Sequence, residues 1–126
     1  MNTTNNCSIV IPDKVFKIKD IDSGFCGFVQ PGSGYAIGCF ECKDTTMIGI
    51  TNTGSTELTF QLFDNGSAEH LINCMVLQPG EQIRFRPGKM SIQMKNILKV
   101  SNLHFEREGS FMVLITEDKK NQSVFN

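Results

Sequence analysis

The first residues with chemical potential are Cys39 and Cys42, in the run Cys39-Phe40-Glu41-Cys42. Two thiols three apart are half of a zinc knuckle, which needs a tight turn so that both thiolates face one ion. A second pair would have to come from elsewhere, and Cys26 and Cys74 would complete a four-thiol set with Cys39 and Cys42. An extended Cys39-to-Cys42 segment opposes the idea, because side chains three apart on a strand point to opposite faces. A redox pair would want a helix N-terminus to stabilise its thiolate, and no helix pattern follows. Cys7, Cys26, Cys39, Cys42 and Cys74 make an odd number, so they cannot all pair within one chain. The expectation is a set of buried, reduced thiols first, zinc or copper second and redox chemistry last, with no cofactor.

Other constellations are incomplete. His70 and His104 are the only histidines, and neither sits in a nucleophile-elbow sequence. Asp20-Ile21-Asp22-Ser23-Gly24 opens like a calcium loop, but Pro31 stands where the bidentate glutamate belongs. Gly32-Ser33-Gly34 has neither the lysine nor the helix of a phosphate loop. Met75, Met90, Met94 and His70 suit cuprous copper chemically, yet Met90 and Met94 share the face of Ile92, where packing accounts for them. No Trp and a single Tyr weaken a lectin-like reading, which stays as a third alternative.

The best candidate contact set is Arg84, Arg86 and Lys89. With Ile83 and Phe85 turned inward, both arginines project from the opposite face of a strand and Lys89 follows the Arg86-Pro87-Gly88 turn, giving three cations suited to an acidic protein surface. An ordinary solvated strand face explains them equally well. RNA binding is disfavoured because the neighbouring aromatic points inward.

The elements that must position these residues are strands. In the stretch from Ile50 to Asn65, Asn52-Thr53-Gly54-Ser55 turns the chain, and Leu58, Phe60 and Leu62 then alternate with Glu57, Thr59 and Gln61. That period of two predicts a strand with one buried and one wet face. Further strands are predicted over 8–11, 15–18, 25–29, 35–40, 46–51, 69–76, 81–85, 90–94, 98–105 and 110–117. Gly and Pro clusters separate nearly all of them. Five apolar residues in a row, Phe111 to Ile115, predict a central strand covered on both faces. Residues 67–76 also carry helical spacing behind a possible cap at Ser67, which leaves one short helix as an alternative there. The fold expected is an all-β antiparallel sandwich, jelly-roll or immunoglobulin-like, over residues 8–117 between polar tails 1–7 and 118–126.

With 126 residues, 40% hydrophobic and 20% charged, the chain reads as one globular domain. A net charge of −1 gives no argument for nucleic acid or anionic lipid as partner. No signal-like segment and no membrane-length apolar run is visible, so a cytosolic setting is expected.

Ile50-Thr51-Asn52-Thr53-Gly54, Leu58 through Gly66, and Leu77-Gln78-Pro79-Gly80-Glu81-Gln82-Ile83-Arg84-Phe85 together resemble small β-sandwich accessory proteins of virus particles, of the decoration and fibre-base type. The same phrasing is similar to bacterial immunoglobulin-like domains. The resemblance covers about the middle third of the chain. It implies a non-enzymatic structural or assembly protein that binds other protein subunits, as a homo-oligomer or within a larger assembly, located in a virion or the host cytoplasm.

Overall fold

The computed structural model describes residues 24–65, 69–87 and 95–117, with the backbone alone at residues 39, 65, 69, 70 and 95. The predicted strands at 8–11, 15–18 and 90–94, both polar tails and Lys89 lie outside the described residues. The described chain forms eight strands: β1 Gly24–Val29, β2 Gly34–Phe40, β3 Thr46–Asn52, β4 Leu58–Asn65, β5 Glu69–Leu77, β6 Gln82–Phe85, β7 Lys95–Ser101 and β8 Gly109–Glu117. No helix occurs among them, so residues 69–77 are strand and the helical alternative falls. β5 pairs along its length with β4 across a register slip at Leu62/Phe63, and that ladder outweighs the helical spacing of Leu71, Ile72, Met75 and Val76.

Two antiparallel four-stranded sheets result, in the orders β1-β8-β3-β6 and β2-β7-β4-β5. Consecutive strands alternate between sheets except at the β4–β5 hairpin, which is the wiring of a jelly roll. An immunoglobulin fold would keep its first two strands in one sheet. Of the two sandwich alternatives, the jelly roll is the one formed.

Leu58, Phe60 and Leu62 of β4, Leu98 and Val100 of β7, and Ile48, Ile50, Phe111, Val113 and Ile115 of the opposite sheet fill the space between the layers. Phe111 is at its centre, 5.7 Å from the Phe25 ring and 6.0 Å from Phe60 at tilted and edge-on angles, the geometries aromatic quadrupoles favour.

Two turns follow the same chemistry. Ser33 donates to the Gln30 carbonyl and Glu81 to that of Gln78, each at 3.0 Å. Each turn has Pro at its second position and, at its third, a glycine with φ of 72° (Gly32) or 83° (Gly80), which only glycine adopts freely.

Three buried asparagines tie the connections down. Asn52 Nδ2 donates to the Thr56 and Leu77 carbonyls at 2.8 and 2.9 Å, and its Oδ1 accepts from Gly54 N. Asn102 Nδ2 donates to the Val29 and Arg107 carbonyls. Asn96 joins the Phe63 carbonyl to Cys42 N. Asn102 also explains why the strand predicted to reach Phe105 ends at Ser101: it begins a loop that folds back toward β1.

Candidate protein-docking face

On β8 the side chains alternate strictly. Phe111, Val113 and Ile115 enter the core, while Met112 and Leu114 point out and are 42% and 47% exposed. The strand is central, as its apolar run predicts, but one of its faces is open, which corrects the expectation that both are covered. The reason lies in the connectivity: β1 and β3 flank β8 edge to edge, and none of the eight strands lies across its outer side.

Register fixes what surrounds these residues. Leu114 stands opposite Gly24 on β1 and Gly49 on β3, and Gly49 stands opposite Arg84 on β6. The row therefore reads glycine, leucine, glycine, arginine. With no side chain at Gly49, a groove of about 190 Å³ opens between Leu114 and Arg84, its walls including Met47, Thr51 and Met112. Gly49 is not demanded by crowding, since an added Cβ would lie 3.7 Å from Arg84 Cγ, an ordinary contact. The next row sets Cys26 beside Met112 and Thr51 beside Gln82.

The apolar surface extends to Phe28, 63% exposed and opposite Ser110. The loop after β7 adds Leu103 and Phe105, the latter 92% exposed. Asn102 on the Val29 carbonyl, and Gln30 Nε2 on Glu108 at 2.6 Å, hold that loop at the Phe28 end of β1. His104 shapes it: its Nδ1 accepts from the backbone N–H groups of Glu106 and Arg107 at 3.0 Å each, so the ring is occupied in building a turn.

Arg84 and Arg86 are exposed and Ile83 and Phe85 pack partly against the core, the alternation read from the sequence. Arg84 lines the groove; Arg86 lies just beyond the end of β6. The apolar part of this face, which adjoins Arg84, was missed because Met112 and Leu114 read as interior. The glycines at 24 and 49, opposite Leu114 on either side, were the available signal.

The cysteines do not assemble. Cys26 is exposed on β1 of one sheet, whereas Cys74 is buried on β5 of the other and is disulfide-bonded, not the reduced thiol expected. The Cys39 side chain lies outside the described residues. Cys42 is buried, and burial first, then the carboxylates of Glu117, Asp64 and Glu41, push its thiol up to about 12. A thiol that holds its proton so firmly is a poor metal ligand and a poor nucleophile. Among the described residues no cluster of three or more His, Cys, Asp or Glu side chains is placed to hold a metal ion.

Glu117 is instead bound by hydroxyls, accepting from Thr45 and Thr46 at 2.5 and 2.9 Å. His70 is described by its backbone alone.

The fold and this face define the class of protein: a small antiparallel β-sandwich with an open apolar sheet face. No protein-family model matches the sequence, and no curated protein matches it. Solved structures do resemble the fold. PirA is similar at a TM-score of 0.61 with 17% identity, over 78% of this chain and 95% of that one. PliG of Aeromonas hydrophila, a periplasmic inhibitor of g-type lysozyme, matches at 0.53 with 13% identity, over 81% and 96%. The Yersinia pseudotuberculosis-derived mitogen matches at 0.50 with 10% identity, over 75% and 84%. At such identities the likeness is one of fold.

Proposed function

We propose that this chain is a non-enzymatic protein-binding module, and that its contact face is the outer surface of the β1-β8-β3-β6 sheet. The observation that carries the reading is the exposure of Met112 and Leu114 in the middle of a sheet. Apolar side chains there lose hydration cost only when another surface covers them, at roughly 25 cal/mol per Å². The partner is another protein subunit, first a second copy of the chain, meeting apolar contacts at Leu114, Met112 and Phe28 and offering acidic side chains to Arg84 and Arg86. The finer reading is an accessory subunit of a virus particle, supported by the sequence resemblance. PliG, named as a lysozyme inhibitor, is an example of a similar fold directed at another protein.

Light scattering across protein concentration tests it. Wild type is expected to rise in mass, while Leu114→Asp, which places a charge in the contact, and Gly49→Val, which fills the groove, remain monomeric. A wild type that is monomeric throughout, or variants that associate as it does, would overturn self-docking. The virion placement is checked by mass spectrometry of purified particles.

A further inference from the structure

The loop between β7 and β8 presents an apolar knob on a fixed backbone. Phe105 is 92% exposed and Leu103 is exposed beside it, so the chain's own folding makes little use of either side chain. The backbone around them is nevertheless held at several points. Asn102 Nδ2 donates to the Val29 and Arg107 carbonyls at 3.0 and 2.7 Å, Asn102 Oδ1 accepts from His104 N at 2.9 Å, and His104 Nδ1 accepts from Glu106 N and Arg107 N. Glu108 is anchored to Gln30. An aromatic ring on a loop already ordered has little freedom left to lose on docking.

The groove at Gly49 is the matching hollow. Its walls are apolar at Leu114 and Met112 and cationic at Arg84, and Arg86 continues the cationic side beyond the end of β6. The loop carries the opposite charge beside its apolar tip: over 103–108 the two acids Glu106 and Glu108 outnumber the single base Arg107. A chain does not fill its own groove. Phe28, at the loop's end of β1, stands opposite Ser110, whereas Gly49 stands opposite Leu114 on the other side of β8. That is two strand spacings across and four residues along, about 10 Å by about 13 Å, and the bonds to Val29 and Gln30 keep the loop at its own corner.

We propose, on the self-docking reading above, that the 103–108 loop of one copy seats Phe105 in the Gly49 groove of a second copy, with Glu106 meeting Arg84. A twofold axis lying between two facing sheets exchanges loop and groove in both directions at once. The midpoint between the Phe28 corner and Gly49 falls at Met112 on β8, so the exposed methionines of the two copies meet there. A thioether side chain is flexible enough to pack against its own kind. In the groove the ring is desolvated against Leu114 beside the Arg84 guanidinium, where charge and ring quadrupole attract.

Sedimentation velocity across concentration tests this on the full chain. Phe105→Ser changes only an exposed ring, so folding is unaffected, and association is expected to weaken at least about tenfold. Gly49→Val keeps the loop and fills the groove. A mixture of these two variants is expected to associate where neither does alone, since one supplies the knob and the other the hollow. Arg84→Glu is expected to weaken association, and Glu106→Arg added to it to restore it. Phe105→Ser associating as wild type does, while Leu114→Asp does not, would overturn the loop's role and leave self-docking standing. A mixture that stays monomeric would overturn the exchange of loop and groove, and a wild type monomeric at every concentration would overturn self-docking and the loop's role together.

Discussion

On the outer face of the β2-β7-β4-β5 sheet, polar Gln61 and Ser101 are almost wholly buried, whereas on the opposite outer face Phe28, Met112 and Leu114 are between 42% and 63% exposed. Burial and polarity are thus inverted between the two sides of one sandwich. Burying a polar side chain costs least when its groups are bonded: Gln61 Nε2 reaches Cys74 Sγ at 3.7 Å and the Lys99 ammonium sits 4.7 Å from the Phe63 ring centre, whereas the Ser101 hydroxyl is buried with no hydrogen-bond partner among the described residues. An apolar side chain tolerates water at a small cost that selection removes unless the surface is used. One side is finished within the chain; the other is left for another molecule.

The largest effect expected comes from placing a charge on the finished side. Gln61→Lys should lose about 3–5 kcal/mol in urea unfolding, because a charged ammonium would replace a neutral amide at a fully buried position. A loss under about 1 kcal/mol would mean that the face opens readily in solution and would erase the contrast between the two sides. Asn52→Ala comes next, at about 2–3 kcal/mol, since it leaves the Thr56 and Leu77 carbonyls and Gly54 N without their partner. The same denaturation measurement checks it.

These residues also show how much was readable beforehand. Alternation in 58–63 and the turn clusters at Pro31-Gly32 and Pro79-Gly80 were enough for an antiparallel sandwich, because those signals are local. The exposure of each face was not local. Thr59 and Gln61 read as a wet face and are buried, while Met112 and Leu114 read as interior and are open. A period of two separates the faces of a strand but cannot say what lies beyond the outer one. The roles of Asn52, Asn96 and Asn102 were equally hidden, since a buried asparagine and a loop asparagine have the same letter and often the same neighbours. For the candidate site, Arg84 and Arg86 were legible from alternation, but the groove beside Leu114 depended on register between strands distant in sequence.

The buried end near β2 offers a pH-dependent comparison with the exposed thiol of Cys26. Because the Cys42 thiol is raised from its ordinary 9.0 to about 12, the unfolded chain ionises first as pH rises, and the folded state then holds the extra proton. Stability from this group is complete below about pH 9 and declines above it by up to about 1.4 kcal/mol per pH unit. Denaturant midpoints between pH 8 and 11 should fall in wild type and fall less in Cys42→Ala. In the native protein Cys26 should take up iodoacetamide while Cys42 does not, which separates the two sulfurs by accessibility.

The smallest effect on folding is expected where the effect on association is greatest. Leu114→Asp adds a charge to a side chain that is 47% exposed between two glycines, so water reaches the carboxylate and no packed neighbour is displaced. Its unfolding free energy should stay within about 1 kcal/mol of wild type. Set beside Gln61→Lys, the variant compares a buried charge with a hydrated one, both placed by single substitutions in the central strands of their sheets. If Leu114→Asp instead destabilises as much as Gln61→Lys, the outer surface of β8 is packed inside the isolated chain, and the docking face must be sought at Phe28 and Phe105.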